Sequence, residues 1–365
     1  MTQPKRCRAR DLGIAIGTYA TGGFNAITDV AGVRVGHVTL IRGEGPLRIG
    51  EGPVRTGVTA ILPPGENWFE QPVEAGQFTL NGAGTTCGLS MIDEFGLVNT
   101  PIMLTNTLSV GAVYEGVIQY MVDRLFRPQG RVPWVSPTVG ETADGYLNDI
   151  GGLHVRPEHA VQAIDEARTG PVAEGNVGAG TGTGAFGFKG GIGTSSRVVE
   201  IAGQQATIGV LVQTNFGGKL TVCGVPMPDL KASASIVPDQ GSSIMMIVAT
   251  DLPLDARQLQ RLARRAIFGL ARTGADGAHG SGDYVIAFST TRRQRQNGSE
   301  IQKALERAEG LIDTAFCAVA DATEEAILNA IFMAETMCGR DGNVREAVPI
   351  DRVMEILRTS GVTLV

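Results

Sequence analysis

Glycine constrains this chain more than any other residue type: 50 of its 365 residues are Gly, roughly twice the usual share. A residue without a Cβ permits left-handed backbone and lets one main chain lie directly on another. The glycines follow no three-residue period and there are only 17 Pro, which excludes a collagen-like helix. Hydrophobic residues at 43% against 19% charged exclude a disordered chain. No apolar run reaches the ~18 residues that a membrane span needs. The net charge of −6 exerts no overall pull toward nucleic acid. A compact globular protein remains, with many places where backbone turns tightly or packs closely.

The five cysteines (Cys7, Cys87, Cys223, Cys317, Cys338) form no CxxC pair and read as thiols in a reducing compartment. Lys5, Arg6, Arg8 and Arg10 precede only a short apolar patch at 12–16, so no secretory leader is expected and the location reads as cytoplasmic. His37, His154, His159 and His279 lack metal-ligand spacing, so no metal site is expected.

Length alone suggests about two domains. Short β-branched runs at 33–40, 57–62, 101–104, 206–213, 244–250 and 284–289 read as strands. Apolar periodicity predicts helices over 113–126, 157–167 and 255–271, the last with Asp255 and Gln258 as a capping box. Asp321 with Glu324 reads as the start of a further helix that Gly339 closes. Strands and helices alternate along the whole chain, so the fold class is α/β layered, with helices covering a sheet on both sides.

Gly182-Thr183-Gly184-Ala185-Phe186-Gly187 fits GxGxxG, but a dinucleotide loop should follow an apolar strand and open a helix. Polar, Gly-rich sequence flanks it on both sides, so it reads as a structural loop. A non-catalytic nucleotide-binding protein built on this loop is the competing reading from another functional class. No GxSxG elbow occurs. Only His279, in a loop, is a candidate base; His37 and His159 fall in regular elements. Trp134 reads as core or pocket lining.

Ser242 and Ser243 stand at the mouth of an apolar strand, after the turn signal Pro238-Asp239-Gln240-Gly241. A Ser at such a place can attack the peptide carbonyl before it, and its freed α-amine, with a pKa near ~8, then serves as base without a His. The plainer reading is that both serines finish a turn.

Several motifs occur together and in order. They are residues 27–40, Asn81-Gly82-Ala83-Gly84, 104–111, 144–149, 189–197, 212–217 and 243–251. This set resembles the L-aminopeptidase/D-esterase family, which includes the β-peptidyl aminopeptidases, over about residues 10–360. The resemblance implies one αββα sandwich over 1–365, similar to N-terminal-nucleophile hydrolases with different connectivity. It implies a single self-cut before Ser243, giving fragments 1–242 and 243–365, with a cut before Ser242 as the second possibility. Ser243 would be the nucleophile, with Ser281 and Asp283 as a polar relay and Tyr146 and Asn215 as oxyanion donors. Glu141 and Asp144 are the two candidates for binding a substrate ammonium. The family acts on short peptides, amides and esters, including D- and β-amino acid derivatives, needs no cofactor, and forms homotetramers. Nylon-oligomer hydrolases and ornithine acetyltransferases look similar but use Thr where this chain has Ser243.

Overall fold

The computed structural model describes residues 6–228, 230, 242–291 and 298–364. Ten strands build two sheets: β1 (Arg34–Arg42), β2 (Val54–Leu62), β3 (Val73–Gly82), β4 (Leu97–Val98), β5 (Ile102–Asn106), β6 (Thr138–Thr142), β7 (Ile192–Ile201), β8 (Gln204–Asn215), β9 (Ser242–Thr250) and β10 (Ser281–Ser289). The four-stranded sheet has the order β1-β2-β5-β6 and the six-stranded sheet β4-β3-β10-β9-β8-β7. All neighbours are antiparallel except β5 with β6 and β9 with β10.

Alternation of side chains assigns each strand two apolar faces. Ile61, Ile102 and Leu104 of one sheet meet Leu211, Met245, Ile247, Ile286 and Phe288 of the other, forming a layer between the sheets. On the outer face of the four-stranded sheet, Val58, Ala60, Met103 and Val139 pack against α1 (Val110–Met121) and α2 (Pro157–Asp165). On the far face of the six-stranded sheet, Val210, Ile244, Met246 and Val285 pack against α3 (Ala256–Arg272) and α4 (Asp313–Phe332). The layers are αββα.

Two glycines set the spacing of the outer layer. A Cβ on Gly193 of β7 would overlap the Ala326 carbonyl of α4, and one on Gly76 of β3 would overlap the Gln260 backbone nitrogen of α3. Among the described residues no helix is long and apolar enough to cross a membrane.

The predicted strands all form, most of them longer than read. The capping box of α3 forms too: Asp255 Oδ1 accepts from Gln258 N–H at 2.7 Å, and Gln258 Oε1 from Asp255 N–H at 3.0 Å. The helix expected over 113–126 instead runs Val110–Met121 and passes into a wider turn, Val122–Phe126.

The reading of Asp321 and Glu324 as a helix start is corrected: α4 begins at Asp313, ends at Phe332, and carries both acids in its middle. They are internal partners of a cation rather than caps. Arg272 lies 2.7 Å from Asp321 and 3.5 Å from Glu324. Gly339 lies beyond the helix, where a Cβ would overlap Leu147. Trp134 is 68% exposed and belongs to no core.

Glu325, the next acid along α4, joins the helix to the sheet. Its carboxylate is 2.7 Å from Arg197 of β7, both side chains fully buried. It also takes Arg10 at 3.0 Å, whose side chain is 31% exposed. Glu325→Ala strands a buried guanidinium, so a loss of about 3–5 kcal/mol is expected. Arg10→Ala removes only the partly exposed partner and should cost under about 1 kcal/mol. Denaturant midpoints at unchanged slope check this; equal losses would contradict it.

Candidate active site

The parallel pairing of β9 with β10 brings both strand entrances to one sheet edge, and antiparallel β8 ends there. In the register Ser243 faces Asn215 on one side and Gly282 on the other, while Ser242 faces Ser281 and Ile244 faces Asp283. Residues opposite one another share a face. Ser243, Asn215 and Gly282 therefore lie on the side that looks toward the second sheet, like Met245 and Tyr284 beyond them. Ser281 and Asp283 lie on the helix side with Ile244. Ser243 is 4% exposed, and among the described residues its hydroxyl makes no hydrogen bond. The turn signal Pro238 to Gly241 lies outside the described residues.

Ser281 and Asp283 are brought together. The Ser281 hydroxyl donates to Asp283 Oδ1 at 2.5 Å, and Asn81 Nδ2 donates to Oδ2 at 2.9 Å and to the Gly277 carbonyl at 3.1 Å. Burial pushes the Asp283 carboxyl up, opposed by Ser281, Asn81 and the Ile244 N–H, with Asp276 nearby adding to the rise. Among the described residues no hydrogen bond links the pair to the Ser243 hydroxyl, and strand alternation sets that hydroxyl on the other face. The group within reach of both faces is the Ser243 backbone nitrogen, in the plane of the sheet.

Asn215 Oδ1 accepts from the Gly184 N–H at 3.1 Å, which fixes which end of the amide faces the 184–189 loop. The Tyr146 ring lies under the Arg345 guanidinium, 4.1 Å from carbon to centroid, and its carbonyl accepts from Asn343 Nδ2 at 2.9 Å.

The two acids left unseparated by spacing occupy different places. Glu141, at the end of β6, accepts from the Thr85 N–H at 2.8 Å and from the Thr107 hydroxyl. Burial raises its carboxyl, opposed by those two donors. A Cβ at Gly84 would stand 2.8 Å from Glu141 Oε1 and 3.4 Å from the Gly282 Cα, so this carboxylate borders the entrance beside Ser243. Asp144 is instead enclosed by its own loop. It accepts from Asn148 Nδ2 at 2.9 Å, and Gly182 packs against its Cβ. Burial pushes its carboxyl up to about 7, opposed by Thr56 and Asn148.

The GxGxxG segment packs beside a buried lysine. Lys189 Nζ, fully buried, donates to the carbonyls of Gly180, Thr183 and Gly190 at 3.0, 2.8 and 2.7 Å. Carbonyls turned inward give the wrong polarity for a phosphate, which needs inward N–H groups. The segment passes into the ribbon Gly184–Ala185 with Phe188–Lys189 and opens no helix, so the nucleotide-loop reading fails.

No histidine stands at Ser243. His279 is exposed in the loop before β10, and His159 caps the Arg156 N–H at 2.9 Å. His154 is bound to Asp149 at 2.8 Å, and His37 is bound to Thr59 at 2.9 Å with its pKa lowered to about 4 by burial. Asn81, Thr107 and Arg345 are site residues for which no role was read from sequence. Asn81 and Thr107 sit in quoted motifs; Arg345 had no local signal.

A carboxyl whose pKa is higher folded than unfolded holds its proton better in the native state, so stability falls as pH rises across that interval. For Asp144 the interval runs from 3.8 to about 7. Asp144→Asn should lessen this fall; Glu174, also raised to about 7 by burial beside Arg8, and the raised carboxyls of Glu141 and Asp283 contribute to the slope that remains. Thermal midpoints over that pH range check it, and a wild-type slope in the variant would contradict it.

The model of peptidase family S58 matches residues 25–345. The β-peptidyl aminopeptidase BapA of Sphingosinicella microcystinivorans is 45% identical over 96% of this chain and 92% of its own length. The solved PH0078 protein of Pyrococcus horikoshii OT3 superposes with a TM-score of 0.89 at 47% identity, covering 98% of this chain and all of that one. The L-aminopeptidase D-Ala-esterase/amidase of Ochrobactrum anthropi superposes at 0.85 with 42% identity, over 98% of this chain and 99% of that one. That protein is described as a prototype serine aminopeptidase with a variant of the Ntn hydrolase fold, the layered arrangement found here. With a serine at the entrance of a central strand and the family pattern spanning most of its length, the chain is a hydrolase that belongs to peptidase family S58.

Proposed function

We propose that the chain is a self-processing serine aminopeptidase that uses Ser243 both to cut itself and to cleave substrate. The observation that carries the reading is the position of Ser243: first inward-facing residue of a buried central strand, with Asn215 opposite on the same face.

In the self-cut, Ser243 Oγ attacks the Ser242 carbonyl carbon. The Ser243 nitrogen leaves as an amine and takes the hydroxyl proton. Water hydrolyses the resulting ester, leaving a carboxylate on Ser242 and fragments 1–242 and 243–365. The freed α-amine, with a pKa near ~8, is then the base. It lies in the strand plane, where Ser281, oriented by Asp283, can hydrogen-bond it from the helix side. Ser243 Oγ transfers its proton to this amine and attacks the substrate's acyl carbonyl from the other side. Asn215 Nδ2 and the Tyr146 hydroxyl stabilise the oxyanion. The leaving amine or alcohol takes the proton, and water releases the amino acid from the acyl-enzyme.

Glu141 is the proposed partner of the substrate ammonium. Its carboxylate is buried, borders Gly282, and is held by two neutral donors, so a cation completes it. The relatives' activities fit short peptides, amides and esters with small N-terminal residues, including β- and D-residues. Action in the cytoplasm as a homotetramer is part of the same reading; no disulfide links the five cysteines.

Mass spectrometry of purified protein should find two fragments meeting at 242/243, and Ser243→Ala should leave one intact, inactive chain. Fragments persisting in that variant would sink the assignment. Glu141→Gln should raise KM for an amino-acid p-nitroanilide by about 10–100-fold, the worth of one charge-assisted contact. Substrates lacking the amine should be unaffected; an unchanged KM removes Glu141 from this role.

A further inference from the structure

Arg345 lies far along the chain from Ser243, in the short ribbon Val344–Arg345 paired with Met337–Cys338. It is 5% exposed. Its guanidinium lies flat over the Tyr146 ring, 4.1 Å from the centroid. Its Nη1 donates to the Gly187 carbonyl at 3.1 Å. A Cβ at Gly184 would stand 3.1 Å from its Nε, so glycine there leaves room for the guanidinium. Gly184 is the residue whose N–H holds Asn215 Oδ1. One side chain therefore touches the ring of one proposed oxyanion donor and the loop that orients the other.

We propose that Arg345 is a positioning residue for the oxyanion hole, acting chiefly through Tyr146. This rests on the donor role given to Tyr146 above. Two physical effects support it. A planar cation against the ring face limits rotation of the phenol. The same positive charge draws electron density from the ring, which strengthens the hydroxyl as a donor toward an oxygen gaining negative charge. Neither effect requires Arg345 to touch substrate. The backbone around Tyr146 is secured separately: Arg340 Nε donates to the Gly145 carbonyl at 2.6 Å, Arg340 N–H to Leu147 at 2.9 Å, and Asn343 Nδ2 to Tyr146. Removing the guanidinium should therefore loosen the ring and leave the loop in place. In the proposed two-fragment enzyme, Arg345 belongs to 243–365 and Tyr146 to 1–242, so the contact also spans the cut.

The test is a double-mutant cycle on the full-length, self-processed enzyme with R345M, R345K, Y146F and R345M/Y146F, each assayed for kcat and KM with an amino-acid p-nitroanilide. Tyr146→Phe keeps the ring for stacking and removes only the hydroxyl. Expected is a kcat about tenfold or more lower in R345M with KM within about twofold, partial recovery in R345K, and less than about twofold further effect of R345M in the Y146F background. The rate of fragment appearance is compared across the same set, so a variant that cuts slowly still reports, and R345K carries the comparison if R345M does not fold. Wild-type kcat in R345M, or the same loss in both backgrounds while Y146F is impaired, overturns the proposal and leaves the Tyr146 reading standing. Wild-type kcat in Y146F overturns the donor role itself and the proposal with it.

Discussion

The parallel pairing of β9 with β10 is the constraint on which the rest of this structure depends. Parallel neighbours begin at the same edge of a sheet, so the first residues of both strands stand side by side. Such a pair cannot be joined by a tight turn and needs a crossover, which α3 supplies. The crossover helix must be held against the sheet, and α4 beside it is held in turn by Glu325 reaching Arg197 of β7. Antiparallel β8 completes the arrangement because it ends where β9 begins, setting Asn215 opposite Ser243. A serine on an edge strand would be solvated and mobile; here it is clamped on both sides by ladder hydrogen bonds.

The alternation of faces divides the proposed chemistry. Ser243 and Asn215 look toward the second sheet, where a substrate carbonyl would lie beside Glu141. Ser281 and Asp283 look the other way and are enclosed by Asn81 and the Gly277 carbonyl. The main-chain nitrogen of Ser243 is common to both sides. A base made from that nitrogen can be tuned by groups that never meet the substrate, whereas a histidine would have needed space on the substrate's side.

The strands were legible because β-branched alternation is a local signal, and α3 because its capping box is complete within four residues. The strand entrances were less so: Ser281, Gly282 and Asp283 have turn-forming composition, yet they pair along their whole length with β9. Helix α4 was misread because an acid three residues before another acid resembles a cap, while its true partner, Arg272, lies 49 residues away. The candidate site was legible through its ordered motifs. Its supports were not, since Asn81 meets Asp283 across 202 residues, and the contact of Arg345 with Tyr146 leaves no trace in either segment.

The glycine content pointed to close backbone packing, and composition excluded fibre, disordered chain and membrane helix. The layered class, the strand segments and the candidate serine followed from local pattern, because propensity and alternation act over a few residues. Tertiary structure alone decided which carboxylate borders the entrance and which is sealed in its loop. It also showed that GxGxxG turns a carbonyl toward the buried Lys189 amine and passes into a short ribbon rather than a helix. Burial, charge pairing and the direction of carbonyls are properties of distant segments brought together, and they exist only once the two sheets have closed on one another.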